Sequence, residues 1–226
     1  MEITKLLLKH NEQPAPIFKP ELNRDNTLFL DFSTNNAELK EVDFADVKAL
    51  NKFIFSKIRN ADKTYGYGGY MEDREVYRRS SVFYISARES RSIHLGIDVW
   101  TQAEKPLHCP LDGKVHSFKN NIRHGDYGPT IVIEHMLGNQ KFYTLYGHLS
   151  KESLYGLYAG KAISKGDLLA YVGDSSVNGD WPPHLHFQVI TDMKDKNGDY
   201  PGVCSRAEIE QYRELCPDPI AFFSFD

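Results

Sequence analysis

The spacing of apolar residues divides the chain into a helical part and a β-rich part. Between Phe44 and Ile58, apolar residues recur every three to four positions, which predicts an amphipathic helix with Asp43 as its N-cap. From about residue 91 onward, short apolar runs alternate with glycine-containing turns, which predicts short antiparallel strands. Near the C-terminus, Ser205 and Glu208 have the spacing of a capping box, which predicts a final short helix.

The β-rich part contains one clear hairpin signal. The runs TIVIEH and KFYTLYGH flank MLGNQ, whose Gly138 and Asn139 suit a tight turn. Strands do not alternate with helices and there is no internal repeat, so a doubly wound α/β fold is not expected. We therefore expect a mainly β protein, with a small antiparallel sheet or sandwich as its core. In this division, residues 1–90 are an α-containing extension packed on the core, and residues 91–226 are the core domain with its C-terminal helix.

The extension combines a polar arm, the predicted helix and a glycine-rich segment. Residues 1 to about 40 are polar and punctuated by prolines, so we expect an arm laid over the surface. The segment YGYGGYMEDREVY, from Tyr65 to Tyr77, predicts a loop whose glycines supply positive φ and which lies beside a binding cleft. The helix between them has a single apolar face, which it can bury only by packing on the core.

Composition excludes several classes of protein. The 226 residues carry 27 basic and 31 acidic side chains, and the net charge of −4 gives no electrostatic case for a nucleic-acid partner. No apolar run approaches the roughly 20 residues that a membrane-spanning helix needs. The leucine cluster at Leu6–Leu8 is too short for a secretory signal. A cytoplasmic location is therefore expected, or the cell envelope if a signal has been removed.

The three cysteines do not have the spacing of a zinc ribbon. Cys109, Cys204 and Cys216 form an odd set without a CxxC pair. Free thiols in a reducing compartment are expected, and a bridge between Cys204 and Cys216 is kept as an alternative.

The candidate chemistry lies in two histidine-containing segments. In PPHLHFQV, His184 and His186 are two residues apart, so on a strand both side chains lie on the same face. In IHLGIDVW, His94 and Asp98 share a face of an extended chain, and Asp98 lies between apolar neighbours. A buried carboxylate without a partner is costly, so Asp98 predicts a nearby cation, an arginine or several hydrogen-bond donors. A solvated strand face can also carry an H-x-H pair, so neither segment is decisive alone.

Together the two segments supply a candidate zinc site. Histidine and aspartate are ordinary zinc ligands, and three protein ligands with one open position are typical of catalytic zinc. His148, at the end of FYTLYGH, adds a further histidine for proton transfer. The HExxH helix of many zinc peptidases is absent from the sequence, so such a site would be built on strands.

The motifs HLGID, YTLYGHLS and HLHFQ, in this order, resemble the three motifs of lysostaphin/LytM-type zinc endopeptidases. The intervening PLDGKV, YGPTIVIEH and ISKGDLLAYVGDS resemble the connecting strands and turns of that family, so the resemblance covers about Ser92 to Ile190. It implies a LytM-like, duplicated-hybrid-motif type of β core with an open cleft and one Zn²⁺ per chain.

The resemblance also implies the roles of five residues. His94, Asp98 and His186 would be the zinc ligands. His148 and His184 would stand beside the metal as the catalytic pair, one as general base and the other as a hydrogen-bond partner of the developing oxyanion. The implied function is that of a zinc metalloendopeptidase, which hydrolyses peptide bonds in peptidoglycan cross-links or stem peptides.

Three features depart from the family pattern. The stretch GDSSVNGDWPPHLH is longer than the family's usual segment before the last motif, and it adds Trp181 at the expected cleft edge. The first 90 residues do not resemble the cell-wall enzymes, and no export signal is recognisable. Two alternatives therefore stay open. One is a zinc peptidase or amidase acting on an intracellular peptide or small conjugate, and the other is a non-catalytic binding or activator module. All five site residues are present, which favours an enzyme.

Overall fold

A computed structural model describes residues 2–79, 81–86 and 89–225 of the chain. The α-helices in these ranges are α1 (Ile3–Lys9), α2 (Val47–Asn60), α3 (Glu75–Arg79) and α4 (Ile209–Leu215). The strands are β1 (Thr27–Phe29), β2 (Tyr65–Gly68), β3 (Tyr84–Ser86), β4 (Glu89–Ser90), β5 (Ile93–His94), β6 (Ile97–Trp100), β7 (Pro106–His108), β8 (Gly113–Asn121), β9 (Gly128–Leu137), β10 (Gln140–Gly147), β11 (Ala162–Ile163), β12 (Leu168–Tyr171), β13 (His184–Ile190) and β14 (Val203–Cys204). None of the described helices is long and apolar enough to cross a membrane.

Eight strands form one sheet, in the order β1-β2-β6-β13-β10-β9-β8-β11. Its neighbouring strands are antiparallel except for β1 and β2, which are parallel. Three two-stranded sheets, β12-β7, β14-β5 and β3-β4, lie around it. The mainly β, antiparallel fold that the sequence predicted is confirmed.

The hairpin of β9 and β10 shows how the main sheet buries both faces. The two strands pair from Gln140 and Leu137 onward, and Gly138 turns the chain with a φ of 57°. Ile131 and Ile133 pack into the largest apolar cluster, whereas Val132 between them packs into a second cluster on the other face. The predicted hairpin is confirmed, and it belongs to a sheet covered on both sides.

Helix α2 begins later than the apolar pattern predicted. Asp46 caps its first turn, because its side chain accepts a hydrogen bond from the backbone N–H of Lys48 at 2.8 Å. The expected cap, Asp43, instead accepts from the N–H of Ala45 in the preceding turn. The prediction of Asp43 as the cap was wrong because two aspartates three residues apart offer the same local signal.

The glycine-tyrosine segment is partly a strand rather than a loop. β2 pairs with β6, and α3 begins at Glu75. A Cβ on Gly66 would lie 2.6 Å from Cδ1 of Leu30 and 2.9 Å from Cδ1 of Ile58. The glycine therefore permits close packing and does not make a turn. The prediction of a loop from Tyr65 to Tyr77 was wrong here, because glycine marks close backbone approach as well as turns.

The proline-rich arm contributes side chains to the core. α1 buries Ile3, Leu6 and Leu7, and Ile17 and Phe18 farther along the arm are also buried in the largest apolar cluster. The expectation of an arm laid over the surface was wrong for these residues, since apolar clusters this short in a polar stretch give no periodic signal.

The C-terminal region agrees with the sequence-based expectation. Ser205 and Glu208 form the capping box, in which the Glu208 carboxylate accepts from the N–H of Ser205 at 3.0 Å. A short 3₁₀ turn and α4 follow. All three cysteines are buried and free, so Cys204 and Cys216 are not bridged.

Candidate metal centre

Three neighbouring strands bring His94, Asp98 and His186 together. Asp98 in β6 pairs directly with His186 in β13, and His94 ends β5 just before the chain enters β6. The nitrogen and oxygen atoms that each residue offers lie within 4.8 Å of one another, and all three residues are buried. The fold thus places the three residues that the sequence singled out as metal ligands in a single group.

Gly96, in the middle of HLGID, allows this close approach. A Cβ at this position would lie 2.6 Å from the carbonyl oxygen of Phe187 and 2.9 Å from ring atoms of His186. Both distances are too short for non-bonded atoms. Glycine is therefore needed here because β13 passes directly over the turn between His94 and Asp98.

Hydrogen bonds on the outer ring nitrogens fix the tautomers of the two histidines. Nδ1 of His94 donates to the carbonyl oxygen of Gly69 at 3.1 Å, and Nε2 of His186 donates to Oε1 of Gln188 at 2.9 Å. The amide of Gln188 is oriented by its own donation to the carbonyl oxygen of Pro201. Because a neutral imidazole carries one N–H, the inner nitrogens carry lone pairs. These nitrogens, Nε2 of His94 and Nδ1 of His186, face each other at 3.0 Å.

Asp98 adds a third acceptor to the same point. Its Oδ1 lies 3.3 Å from Nε2 of His94 and 3.1 Å from Nδ1 of His186. Burial lowers the pKa of His94 to about 4, so this imidazole is neutral near pH 7. Burial alone would raise the pKa of Asp98, but the positive charge of Arg74 beside it holds that pKa well below its usual value. Three electron-rich atoms at these distances repel one another unless a cation lies between them. Two histidines and an aspartate suit zinc.

His148 and His184 form a pair of histidines next to this group. Their ring centroids are 4.1 Å apart, and Nε2 of His184 lies 3.9 Å from Oδ1 of Asp98. Nδ1 of His184 donates to the carbonyl oxygen of Pro182 at 2.7 Å, and Nδ1 of His148 donates to that of Asn178 at 2.8 Å. Burial lowers the pKa of both imidazoles. Each ring is therefore neutral near pH 7 and keeps Nε2 as a proton acceptor.

Arg74 is a neighbour of this site that the sequence did not single out. Its Nη1 donates to Oδ2 of Asp98, and its Nε donates to Oε2 of Glu72 at 2.8 Å. The side chains of Arg74 and Asp98 are each 3% exposed. The buried carboxylate thus has the arginine partner that was one of its expected alternatives, in addition to the histidines.

The part of the chain that carries the five histidine and aspartate residues matches a known family. Residues 92–198 match the family model of Peptidase family M23. These residues are a peptidase family M23 domain. The resemblance of HLGID, YTLYGHLS and HLHFQ to the lysostaphin/LytM-type enzymes is thereby confirmed.

Several solved structures are similar to part of this chain. A zinc-containing peptidase from Vibrio cholerae is 31% identical over 43% of this chain and 27% of that chain, with a TM-score of 0.36. The catalytic domain of the antimicrobial peptidase lysostaphin from Staphylococcus simulans is 20% identical over 54% of this chain and 80% of that chain, with a TM-score of 0.37. Helicobacter pylori Csd3 is 25% identical over 55% of this chain and 32% of that chain, with a TM-score of 0.35. The chain thus spans well under half of the Vibrio cholerae protein and of Csd3. No curated protein matches it significantly.

The M23 domain and the N-terminal extension line an open cavity of about 430 Å³ beside the histidines. His148, His184 and other site residues line it, together with Tyr77, Phe83 and Trp181. These three aromatic residues form one wall: Tyr77 lies 4.7 Å from Phe83 and 6.1 Å from Trp181 between ring centroids. Tyr77 and Phe83 belong to the extension and Trp181 to the M23 domain, so both parts of the chain contribute apolar rings to the cavity.

Sequence reasoning missed two neighbours of the metal group besides Arg74. Gln188 follows His186 by two residues on β13, so strand periodicity places both on the same face. That signal was present in HLHFQ. Gly69 acts through its backbone carbonyl. Every residue type has such a group, so the sequence does not indicate this role.

Proposed function

We propose that this protein is a zinc-dependent peptidase, with one zinc ion per chain held by His94, Asp98 and His186. The observation that carries the proposal is the convergence of three buried acceptor atoms within an M23 domain. Within the described ranges, these residues are the one histidine-containing group with the geometry of a metal site. Their outer hydrogen bonds hold both imidazoles in the tautomer that a metal requires.

The chemistry of the site is amide hydrolysis. When bound, zinc supplies Lewis acidity toward the scissile carbonyl and lowers the pKa of water to about 7. Nε2 of His148 and Nε2 of His184 are both acceptors, so either can take the proton of the attacking water and pass it to the leaving amine. The other histidine of the pair would be the hydrogen-bond partner of the developing oxyanion, a role that requires a proton on its Nε2. The carbonyl oxygens of Pro182 and Asn178 keep both rings oriented for these transfers.

The family resemblance supports peptide bonds of peptidoglycan cross-links or stem peptides as the substrate. The aromatic wall of Tyr77, Phe83 and Trp181 favours the alternative, a peptide or conjugate with an apolar group near the scissile bond. Incubation of the zinc-loaded protein with peptidoglycan fragments and with a mixed peptide library separates the two. The cleaved bond is identified by mass spectrometry. Stoichiometric zinc without turnover on either substrate would favour a non-catalytic module.

Three alanine variants, prepared side by side, test the residue roles. His186→Ala is expected to lose zinc and hydrolysis together, because it removes a ligand. His184→Ala and His148→Ala are expected to keep zinc, while turnover falls by ~10²–10⁴-fold, as is typical when a positioned proton-transfer group is lost. His116→Ala is the control, since His116 bonds to Ser117 outside the site. Wild-type protein that binds no zinc, or a His184→Ala variant that loses zinc while His186→Ala keeps it, would overturn the assignment.

A further inference from the structure

Asp98 is held from outside the M23 domain. Arg74 lies in the extension between β2 and α3, ahead of the matched residues 92–198. Its Nη1 bonds to Oδ2 of Asp98, so the other carboxylate oxygen, Oδ1, is the one that faces His94 and His186. A planar guanidinium with donors in fixed directions restricts the rotation of the carboxylate that it bonds. The contact therefore selects which oxygen of Asp98 points to the metal position.

The guanidinium of Arg74 is itself fixed by the extension. Nε donates to Oε2 of Glu72, and Oε1 of Glu72 accepts from the backbone N–H of Phe32 at 2.9 Å. The rings of Phe32 and Trp100 lie 5.8 and 5.7 Å from the guanidinium carbon. Hydrogen bonds run without a break from the backbone at Phe32, through Glu72 and Arg74, to Asp98.

The strand pairing leaves room for this guanidinium. β2 pairs with β6 in a register that puts Gly68 opposite Asp98. A Cβ on Gly68 would lie 2.9 Å from Nη2 of Arg74 and 2.7 Å from the ring of Trp100. The glycine at this position thus makes space for the arginine beside the carboxylate.

The net charge of Glu72, Arg74 and Asp98 indicates that a cation binds beside them. Glu72 and Asp98 share the single guanidinium of Arg74, and their side chains are 8% and 3% exposed. Two carboxylates and one guanidinium leave a net charge of −1. Charges buried to this extent need compensation. A divalent metal supplies it where the oxygen of Asp98 and the nitrogens of the histidines converge.

We propose that Arg74 is a positioning residue of the metal centre, which holds Oδ2 of Asp98 so that Oδ1 faces the metal. The inference rests on the proposed function. It goes further in making the metal site depend on the N-terminal extension, from which Arg74 fixes Asp98 and the Gly69 carbonyl fixes His94.

Zinc affinity of full-length variants, measured by competition with a chelator, tests the proposal. Arg74→Gln removes the planar guanidinium that joins Glu72 to Asp98. The loss of its positive charge would by itself favour a cation, so a fall in zinc affinity, expected within the ~10–100-fold range for residues that orient metal ligands, reports the loss of positioning. Arg74→Lys keeps the positive charge but lacks the planar set of donors, and a fall in zinc affinity of about tenfold is expected. Urea unfolding of the metal-free proteins is measured alongside.

Two controls separate positioning from general damage. Arg78→Gln removes a guanidinium from the same segment that pairs with Asp73 and not with Asp98. Leu39→Ala truncates a buried side chain in the cluster that also holds Phe32 and Trp100, and it lowers stability without removing a hydrogen bond between Phe32, Glu72, Arg74 and Asp98. Both controls are expected to bind zinc as the wild type does, although Leu39→Ala unfolds at lower urea.

The outcomes distinguish this inference from the proposed function. Wild-type protein without zinc overturns both. Wild-type protein with zinc, together with unchanged or tighter binding in Arg74→Gln, overturns the role of Arg74 alone. A loss in Leu39→Ala as large as that in Arg74→Gln also overturns it, because stability would then explain both. If Arg74→Gln does not fold, Arg74→Lys decides, and unchanged affinity in that variant refutes the proposal.

Discussion

Replacing Gln188 with leucine is expected to weaken zinc binding while the protein still folds. Gln188 is fully buried, and its Oε1 accepts the Nε2–H of His186 at 2.9 Å. The variant loses this acceptor and also the donor to the carbonyl oxygen of Pro201. The hydroxyl of Tyr127, 3.4 Å from Nε2 of His186, is the nearest replacement, and that distance is long for a good hydrogen bond.

The expected loss of zinc affinity can be estimated from the hydrogen bond that keeps the proton of His186 on Nε2. A buried polar group left without a partner costs about 1–3 kcal/mol. Without the acceptor, the proton of His186 gains nothing from staying on Nε2, and the tautomer with the proton on Nδ1 competes with metal binding. Since about 1.4 kcal/mol corresponds to tenfold in an equilibrium constant, zinc affinity should fall by roughly 5–150-fold. This range overlaps the ~10–100-fold typical of residues that orient ligands.

Chelator competition at fixed pH measures the loss, with Thr144→Val as the matched control. Thr144 is buried and bonds to Nε2 of His135 at 2.8 Å, so the control also leaves a buried histidine without its side-chain partner. Because His135 is not part of the metal group, the control should lose stability in urea but bind zinc normally. Wild-type affinity in Gln188→Leu, or an equal loss in both variants, would refute the tautomer argument.

Two further predictions follow from packing and from burial. Gly96→Ala places a Cβ 2.6 Å from the carbonyl oxygen of Phe187. The free energy of unfolding in urea should therefore fall by about 1–3 kcal/mol, and zinc binding should weaken. Wild-type values for both would mean that β13 moves aside freely. Burial lowers the pKa of His135 to about 4, whereas an unfolded histidine titrates near 6.5. The folded state then binds fewer protons, so this contribution to stability is complete above about pH 6.5 and is lost toward pH 4, by on the order of 3 kcal/mol. His135→Gln should make the fall of the urea midpoint between these pH values less steep, although the buried His94, His148 and His184 still contribute to it. An unchanged slope would contradict the assignment.

The grouping of His94, Asp98 and His186 could be anticipated because it rests on short-range rules. Alternation along β13 places His184 and His186 on one face, and the same alternation places His94 and Asp98 on one face of an extended chain. The order of the three motifs supplied the remaining link between β6 and β13. The turn residues Gly138 and Asn139 likewise predicted the β9–β10 hairpin, and the spacing of Ser205 and Glu208 predicted the capping box before α4.

The contribution of the extension could not be anticipated from these rules. Arg74 reaches Asp98, and Gly69 reaches His94, through the pairing of β2 with β6. The sequence of β2 is YGYG. Its glycines pack against neighbouring side chains, but in the sequence they predicted a loop. Non-local pairing of so short a strand leaves no periodic signal. The same limit explains why Asp43 and Asp46 could not be told apart as helix caps.

The position of β6 inside the main sheet has a consequence for isolating the M23 domain. β6 lies between β2 and β13, and β2 belongs to the extension. A fragment that begins at the family boundary, residue 92, would turn β6 into an open edge strand, with its backbone N–H and C=O groups exposed next to Asp98. Unprotected edges of this kind pair with other chains and promote aggregation. Insolubility of residues 92–226 alone would therefore reflect the loss of the neighbouring strand and not an intrinsic failure of the peptidase fold.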